Sequence, residues 1–298
     1  MEKHGDFKSG YVSIIGEPNV GKSTLLNAVM QEKLAIVTPK PQTTRNRITG
    51  IVTTDEYQIV FLDTPGILKP KYRLHNRMLD AAYSALKDAD LTLYLVDVHH
   101  ISTPAAEQIL AAIRKNGQKS ILVINKIDLA PKQALLPIIE TYKKEPLFAE
   151  IVPISAKTRD GVGQLLRLIV KFLPEGQLYF PADQISDLPE RFFAAETIRE
   201  KILLKTQQEI PYASSVAITE FNQRANGTIF ISATIYSERP SQKRILIGKG
   251  GEMIKIIGQL ARIEIQKFLN ASVFLDLHVS VKKNWRQDEK KLRDVGYS

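Results

Sequence analysis

The chain contains no cysteine and only one tryptophan. The first absence removes disulfides, thiolate metal ligands and thiol nucleophiles together. No apolar run approaches the ~18 residues that a membrane span needs. Met1 to Lys8 are polar and charged, so no secretory core is expected, and a cytoplasmic protein is the default. Internal repeats and low-complexity tracts are also missing. What is present is 298 residues of ordinary globular composition, 44% hydrophobic and 24% charged, which suits two cores of roughly 100–200 residues each.

The net charge is +9 and it is unevenly spread. Residues 239–298 hold 13 Lys and Arg against 6 Asp and Glu, while residues 181–238 hold 5 against 8. A basic C-terminal end attracts a polyanion, either nucleic acid or an anionic membrane surface.

Up to about residue 172, short β-branched runs alternate with helical patterns. Tyr11–Ile15, Ile59–Leu62, Leu91–Val96, Ser120–Ile124 and Ile151–Ile154 read as buried strands. Helices are expected between them, which implies a parallel α/β sheet covered on both faces. Ile48–Thr53 and Tyr57–Leu62 form a hairpin, so the sheet is mixed, with one antiparallel edge strand. Leu173 to Glu190 carries four turn-forming Pro and Gly residues and reads as a linker. Beyond it the rhythm becomes αββααβ, with Asn226-Gly227 marking a hairpin. The expected division is a nucleotide domain over 1–175, a linker over 176–190, an α+β domain over 191–285 and a polar tail over 286–298 without a core face.

Four motifs in the first part converge on one chemistry. Gly16-Glu17-Pro18-Asn19-Val20-Gly21-Lys22-Ser23 is a P-loop set between a strand and a helix. Its backbone N–H groups and helix dipole cradle phosphates, Lys22 reaches the β- and γ-phosphates, and Ser23 offers a hydroxyl to Mg²⁺. Asp63-Thr64-Pro65-Gly66 follows a strand; the carboxylate suits Mg²⁺ and the Gly66 N–H suits the γ-phosphate. Asn125-Lys126-Ile127-Asp128 selects the base. Asp128 can accept from both guanine donors, and adenine would leave it unpaired. Lys126 can lie over the ring plane. In Ser155-Ala156-Lys157, the Ala156 N–H is expected to point at the guanine carbonyl.

In this order the motifs resemble the translation-factor-related GTPases. The resemblance implies a switch threonine from Gln42-Thr43-Thr44-Arg45, with Thr44 favoured as a Mg²⁺ ligand beside Ser23 and Asp63. Ile67 stands where many small GTPases place the water-orienting glutamine. In the subgroup with a hydrophobic residue there, the P-loop asparagine sometimes helps hold K⁺. Asn19 is therefore read either as a K⁺ ligand or as a turn-stabilising residue beside Pro18.

Ile247-Gly248-Lys249-Gly250-Gly251 lies between two helical patterns. A GxxG loop in an αββααβ domain marks a KH fold, which clamps about four nucleotides of single-stranded RNA. Ile245, Ile247 and Ile254 are candidates to floor the base groove. His4, His75, His99, His100 and His278 show no converging metal-ligand pattern, and Trp285 reads as packing.

A P-loop GTPase domain followed by a KH domain resembles the Era family of bacterial GTPases of small-ribosomal-subunit assembly. Pro41-Gln42-Thr43-Thr44-Arg45 and the closing Leu292–Tyr297 add to the likeness. The resemblance implies GTP and GDP as ligands, slow GTP hydrolysis and binding near the 3′ end of 16S ribosomal RNA in the 30S subunit. It also implies peripheral association with the inner membrane, and a monomer is expected. Two other readings remain open: a GTP-dependent partner of an RNA-modification enzyme, and a GTP-regulated RNA binder that does not hydrolyse.

Overall fold

The computed structural model describes residues 7–99, 103–144 and 146–297. Two compact units result. The first takes in residues up to Ala35, Thr44–Pro70 and His75–Asp187; the second takes in Ile36–Thr43, Lys71–Leu74 and the chain from Leu188 onward.

The first unit runs β1 (Lys8–Gly16), α1 (Lys22–Met30), β2 (Ile48–Thr53), β3 (Tyr57–Asp63), α2 (Arg73–Asp88), β4 (Leu91–Asp97), α3 (Pro104–Asn116), β5 (Lys119–Asn125), α4 (Leu135–Lys143), β6 (Glu150–Pro153) and α5 (Val162–Phe172). The sheet order is β2-β3-β1-β4-β5-β6. Every neighbouring pair is parallel except β2 with β3. Strands β1, β3, β4 and β5 are almost wholly buried, as expected for strands covered on both faces. Ala82 and Leu86 of α2, Ile109 and Ile113 of α3, and Ile138 and Tyr142 of α4 pack with Tyr94, Val96, Leu122 and Ile124. Helix α3 starts where Thr103 caps the Ala106 N–H with Pro104 at the first helical position, and ends at Gly117 in the left-handed region, a common start and stop pair.

The expected linker is only partly free chain. Gln58, fully buried on β3, donates to the Phe180 carbonyl at 2.8 Å and accepts from the Tyr179 and Phe180 N–H groups at 2.7 and 3.0 Å. Ile51 N–H bonds the Ile185 carbonyl, and the Ser186 hydroxyl bonds the Thr49 carbonyl. Residues 179–186 therefore strap the outer edge of the sheet and satisfy backbone groups that an edge strand leaves open. Proline and glycine content foretells the absence of regular structure, not the absence of contacts.

The second unit runs α6 (Glu190–Lys205), α7 (Ile210–Ala213), β7 (Ser215–Gln223), β8 (Ile229–Ser237), α8 (Pro240–Ile247), α9 (Glu252–Leu269), β9 (Val273–Val281) and α10 (Glu289–Asp294). Strand β8 lies between antiparallel β7 and parallel β9. Ile198 and Ile202 of α6 and Ile257, Ala261 and Ile265 of α9 bury against Ile231, Ala233 and Ile235 of β8. The β7–β8 hairpin closes over Ala225-Asn226-Gly227: Arg224 N–H bonds the Thr228 carbonyl, and Gly227 alone of the three has a positive φ, 80°.

The tail expected to be polar and without a core face is corrected. Leu292, Val295 and Tyr297 are buried, and Trp285 is fully buried. The Trp285 indole stacks on Tyr297 at 5.7 Å and donates to the Ala213 carbonyl at 3.0 Å. Trp285, Leu292, Val295 and Tyr297 form this seam. The six-residue α10 is too short for periodicity to announce it. His4 and His100 lie outside the described residues.

Candidate functional site

The phosphate end of the first unit's site is built where β1 and β3 finish. Ser23 at the start of α1 donates to Asp63 Oδ2 at 2.7 Å, and the Ser23 and Thr44 hydroxyls lie 2.8 Å apart. Thr44 Oγ1 is 3.4 Å from the same Asp63 oxygen. All three side chains are buried, and Asp63 Oδ1 has no hydrogen-bond partner. A buried, half-satisfied carboxylate with two hydroxyls is an oxygen donor set that fits a hard cation such as Mg²⁺. Of the two threonines, the structure brings Thr44 to this cluster. Thr43 and Gln42 belong to the second unit, where the Thr43 carbonyl accepts from Arg199. Arg45 is buried.

Lys22 Nζ donates to the P-loop carbonyls of Glu17 at 2.8 Å and Gly16 at 3.2 Å. Burial brings this lysine down to about 8, against the pull of Asp63 and Glu17. Burial likewise pushes the Asp63 carboxyl up to about 6, with Lys22 and the Ser23 and Thr44 hydroxyls opposing it. The site thus holds two reluctant charges that phosphates and a cation would satisfy. The Thr64 hydroxyl bonds the Ile14 carbonyl at 2.9 Å, so it braces β1. Gly66 lies against the Pro18 backbone.

Ile67 is 1% exposed and packs with Ile15, Val98 and Ala82 in the core, its N–H on the Gly16 carbonyl. It points away from solvent and has no polar atom to aim at a water. Asn19 is exposed, with φ at 66°.

The base end is held by Asn125. Its Nδ2 donates to the Val20 carbonyl at 2.7 Å and its Oδ1 accepts from the Ala156 N–H at 2.9 Å. One amide therefore ties three motifs together. The Ala156 N–H, expected to face a guanine carbonyl, is here used by Asn125, because a buried amide takes the nearest acceptor. Ser155 is fully buried and its hydroxyl caps the Thr158 N–H. Ile127 and Asp128 open a short 3₁₀ turn, and Asp128 and Lys157 are exposed. Lys126 reaches Asp97 at the end of β4, 2.5 Å away. No motif contains Asp97, because it is a lone acid at a strand end.

In the second unit, Gly248, Gly250 and Gly251 all have positive φ, at 77°, 59° and 83°. Lys249 and Gly250 are exposed, and Ile247 and Gly251 are half-buried. Beside this loop lies a groove of about 310 Å³ between α9 and β9. Ile254, Leu275 and Leu277 give it apolar walls, and Lys255, Gln259 and Arg262 give it a polar, basic rim. Gly258 lets α9 approach Leu277 closely. Of Ile245, Ile247 and Ile254, only Ile254 lines the groove; Ile245 is half exposed. The signal for the missed residues was present: 254, 255, 258, 259 and 262 share one helical face.

Comparison with known proteins decides the family. A family profile described as a 50S ribosome-binding GTPase matches residues 11–126, and a KH-domain profile matches residues 209–286. The GTPase Era of Geobacter metallireducens is 50% identical over 293 residues, covering 98% of each chain. The chain belongs to the Era GTPase family. The GTPase Era of Lactobacillus helveticus is 48% identical over 293 residues, 98% of this chain and 97% of the relative. Among solved structures, a point variant of Aquifex aeolicus Era bound to GDP·AlF4⁻ superposes with a TM-score of 0.95 at 41% identity, covering 98% of this chain and all of that one. Era in complex with MgGDPNP and nucleotides 1506–1542 of 16S ribosomal RNA gives the same TM-score and identity over 98% of this chain and 99% of that one. The Era-family assignment makes this chain a GTPase with a KH domain behind it. Among the described residues no helix is long and apolar enough to cross a membrane.

Proposed function

We propose that this chain is a GTP-hydrolysing switch that binds the single-stranded 3′ end of 16S ribosomal RNA and assists assembly of the small, 30S subunit. The observation that carries this reading is the groove behind the GxxG loop. An open, positive-φ glycine loop lets phosphates approach the backbone, apolar walls receive unstacked bases, and Lys249, Lys255 and Arg262 supply charge. A relative of the same architecture is seen with 16S nucleotides and a magnesium nucleotide.

In the other unit, Gly16–Ser23 would cradle the phosphates, Asp128 would read the guanine edge, and Lys126 would cover one face of the ring. Ser23, Thr44 and Asp63 would hold Mg²⁺, which would supply positive charge to offset that of the β- and γ-phosphates. With Ile67 in the core, no side chain at that position orients the attacking water. K⁺ beside Asn19 would add positive charge next to the phosphates, the role an arginine finger plays in other GTPases. Exchanging K⁺ for Na⁺ should slow the wild type and leave Asn19→Ala unaffected; equal wild-type rates in both salts would remove the ion from the account.

The proposal extends to a monomer with peripheral attachment to the inner membrane, since the basic C-terminal end suits an anionic surface. Crosslinking to cellular RNA, with and without a non-hydrolysable GTP analogue, tests the reading. Recovery of 16S 3′-end fragments that depends on the analogue is expected. Fragments spread evenly over all RNA would sink the 16S assignment.

A further inference from the structure

Asp97 does not belong to any nucleotide motif, yet it is the partner of Lys126. The register of the parallel pair β4–β5 sets Asp97 beside Asn125, the residue before Lys126. Val98 N–H bonds the Asn125 carbonyl at 3.2 Å, and His99 N–H bonds Asp97 Oδ1 at 3.0 Å. One carboxylate oxygen is thus fixed by its own turn, and the other, Oδ2, holds the Lys126 ammonium at 2.5 Å. Asp97 is the more buried partner, with its side chain 11% exposed against 30% for the lysine. Lys126 itself sits at φ 68°, a backbone conformation that non-glycine residues adopt at a cost and that tends to persist where function requires it.

We propose that Asp97 is a positioning residue for nucleotide retention: it holds the Lys126 ammonium so that the lysine stem is already stretched out as a platform for one face of the guanine ring. The inference rests on the reading of Lys126 given above. Its physical basis is preorganisation. A mobile lysine has among the largest rotamer entropies of any side chain, and ordering it when nucleotide binds weakens binding. An ion pair made before the nucleotide arrives removes that penalty, and the gain appears chiefly in the dissociation rate. The platform acts on the ring face, not on the base edge read by Asp128. GDP and IDP, which differ only in the exocyclic amine, should therefore be affected equally.

Asp97→Asn is the decisive variant, because the amide keeps an acceptor for the His99 N–H and loses only the charge. GDP and IDP release should both speed up by about 3- to 10-fold, and KM for GTP should rise while kcat holds within about twofold. Lys126→Ala should release GDP at least as fast, and adding Asp97→Asn to it should change nothing more. Asp97→Glu should restore part of the retention, and Asp97→Ser supplies a second test of the lost charge. Unchanged release in Asp97→Asn and Asp97→Ser, or a full Asp97→Asn effect in the Lys126→Ala background, would overturn the inference. Unchanged release in Lys126→Ala alone would instead overturn the ring-platform reading of Lys126 on which it stands.

Discussion

The two glycine loops of this protein look alike in sequence and differ in what surrounds them. At Gly21 of the P-loop, φ is 100° and an added Cβ would stand 2.2 Å from Asn125 Nδ2. At Gly250 of the GxxG loop, φ is 59° and an added Cβ would meet nothing within 4 Å. The first glycine is required by the protein's own atoms, since Asn125 must pass it to hold the Val20 carbonyl. The second faces open space, so no neighbouring atom requires it; its own left-handed backbone does. The two glycines thus answer to different demands: Gly21 to the atoms packed around it, and Gly250 to a left-handed backbone on an open surface.

Asp128 is exposed on the short 3₁₀ turn that follows β5. Asp128→Asn should move preference from GTP to xanthosine triphosphate, changing the ratio of affinities by about 10⁴, as read by competition binding. A retained GTP preference would remove the base-edge assignment.

Ile67→Ala tests how far the crowding extends. Because Ile67 orients no water, single-turnover hydrolysis of bound GTP should be little changed. The core cavity should cost about 2–5 kcal/mol in urea unfolding. From sequence, this substitution would be expected to matter little; its burial makes it a stability variant.

The paired glycine variants follow. Gly21→Ala should weaken GTP binding by about 100-fold, because the phosphate cradle and the Asn125 brace shift together. Gly250→Asp should leave GTP affinity within about twofold and abolish single-stranded RNA binding. Wild-type RNA binding should fall with salt at a slope near −0.7 per phosphate neutralised. RNA affinity unchanged by Gly250→Asp would mean that charge alone does the binding.

The smallest effect concerns Asp63. Its folded-state value, about 6, lies above the ordinary 3.8, so the folded, nucleotide-free protein holds this proton more tightly than the unfolded chain. The contribution is present below about pH 4 and is lost as pH rises through about 6. Asp63→Asn should therefore melt a few degrees above the parent at neutral pH and lose that advantage near pH 4. Adding Mg²⁺ and GDP should stabilise the parent more than the variant. An Asn variant less stable than the parent at every pH would show that the Lys22 attraction outweighs burial.

Much of this molecule is legible in its sequence because its signals are local. Strand and helix order, the P-loop, Asp63–Gly66, Asn125–Asp128 and Gly248–Gly251 all announce themselves within a few residues, through period, punctuation or fixed spacing. Thr44 was favoured over Thr43 by resemblance, whereas its 2.8 Å approach to Ser23 is made only by the fold. The pairing of Asp97 with Lys126 spans 29 residues and comes from the register of two parallel strands. The groove walls Leu275 and Leu277 come from a strand whose alternation marks only one half-buried face.

What the sequence determined by itself is the list of parts and their chemistry: a nucleotide-binding α/β unit, a basic αββααβ unit, and glycines where the backbone takes positive φ. Tertiary structure decided what those parts touch. Ile67 became core, the strap over 179–186 closed a sheet edge through Gln58, and Trp285 and Tyr297 turned a polar tail into a packed one. The physical reason is range. Propensity and turn chemistry act over a few residues, whereas burial and hydrogen-bond satisfaction are settled between segments that only folding brings together.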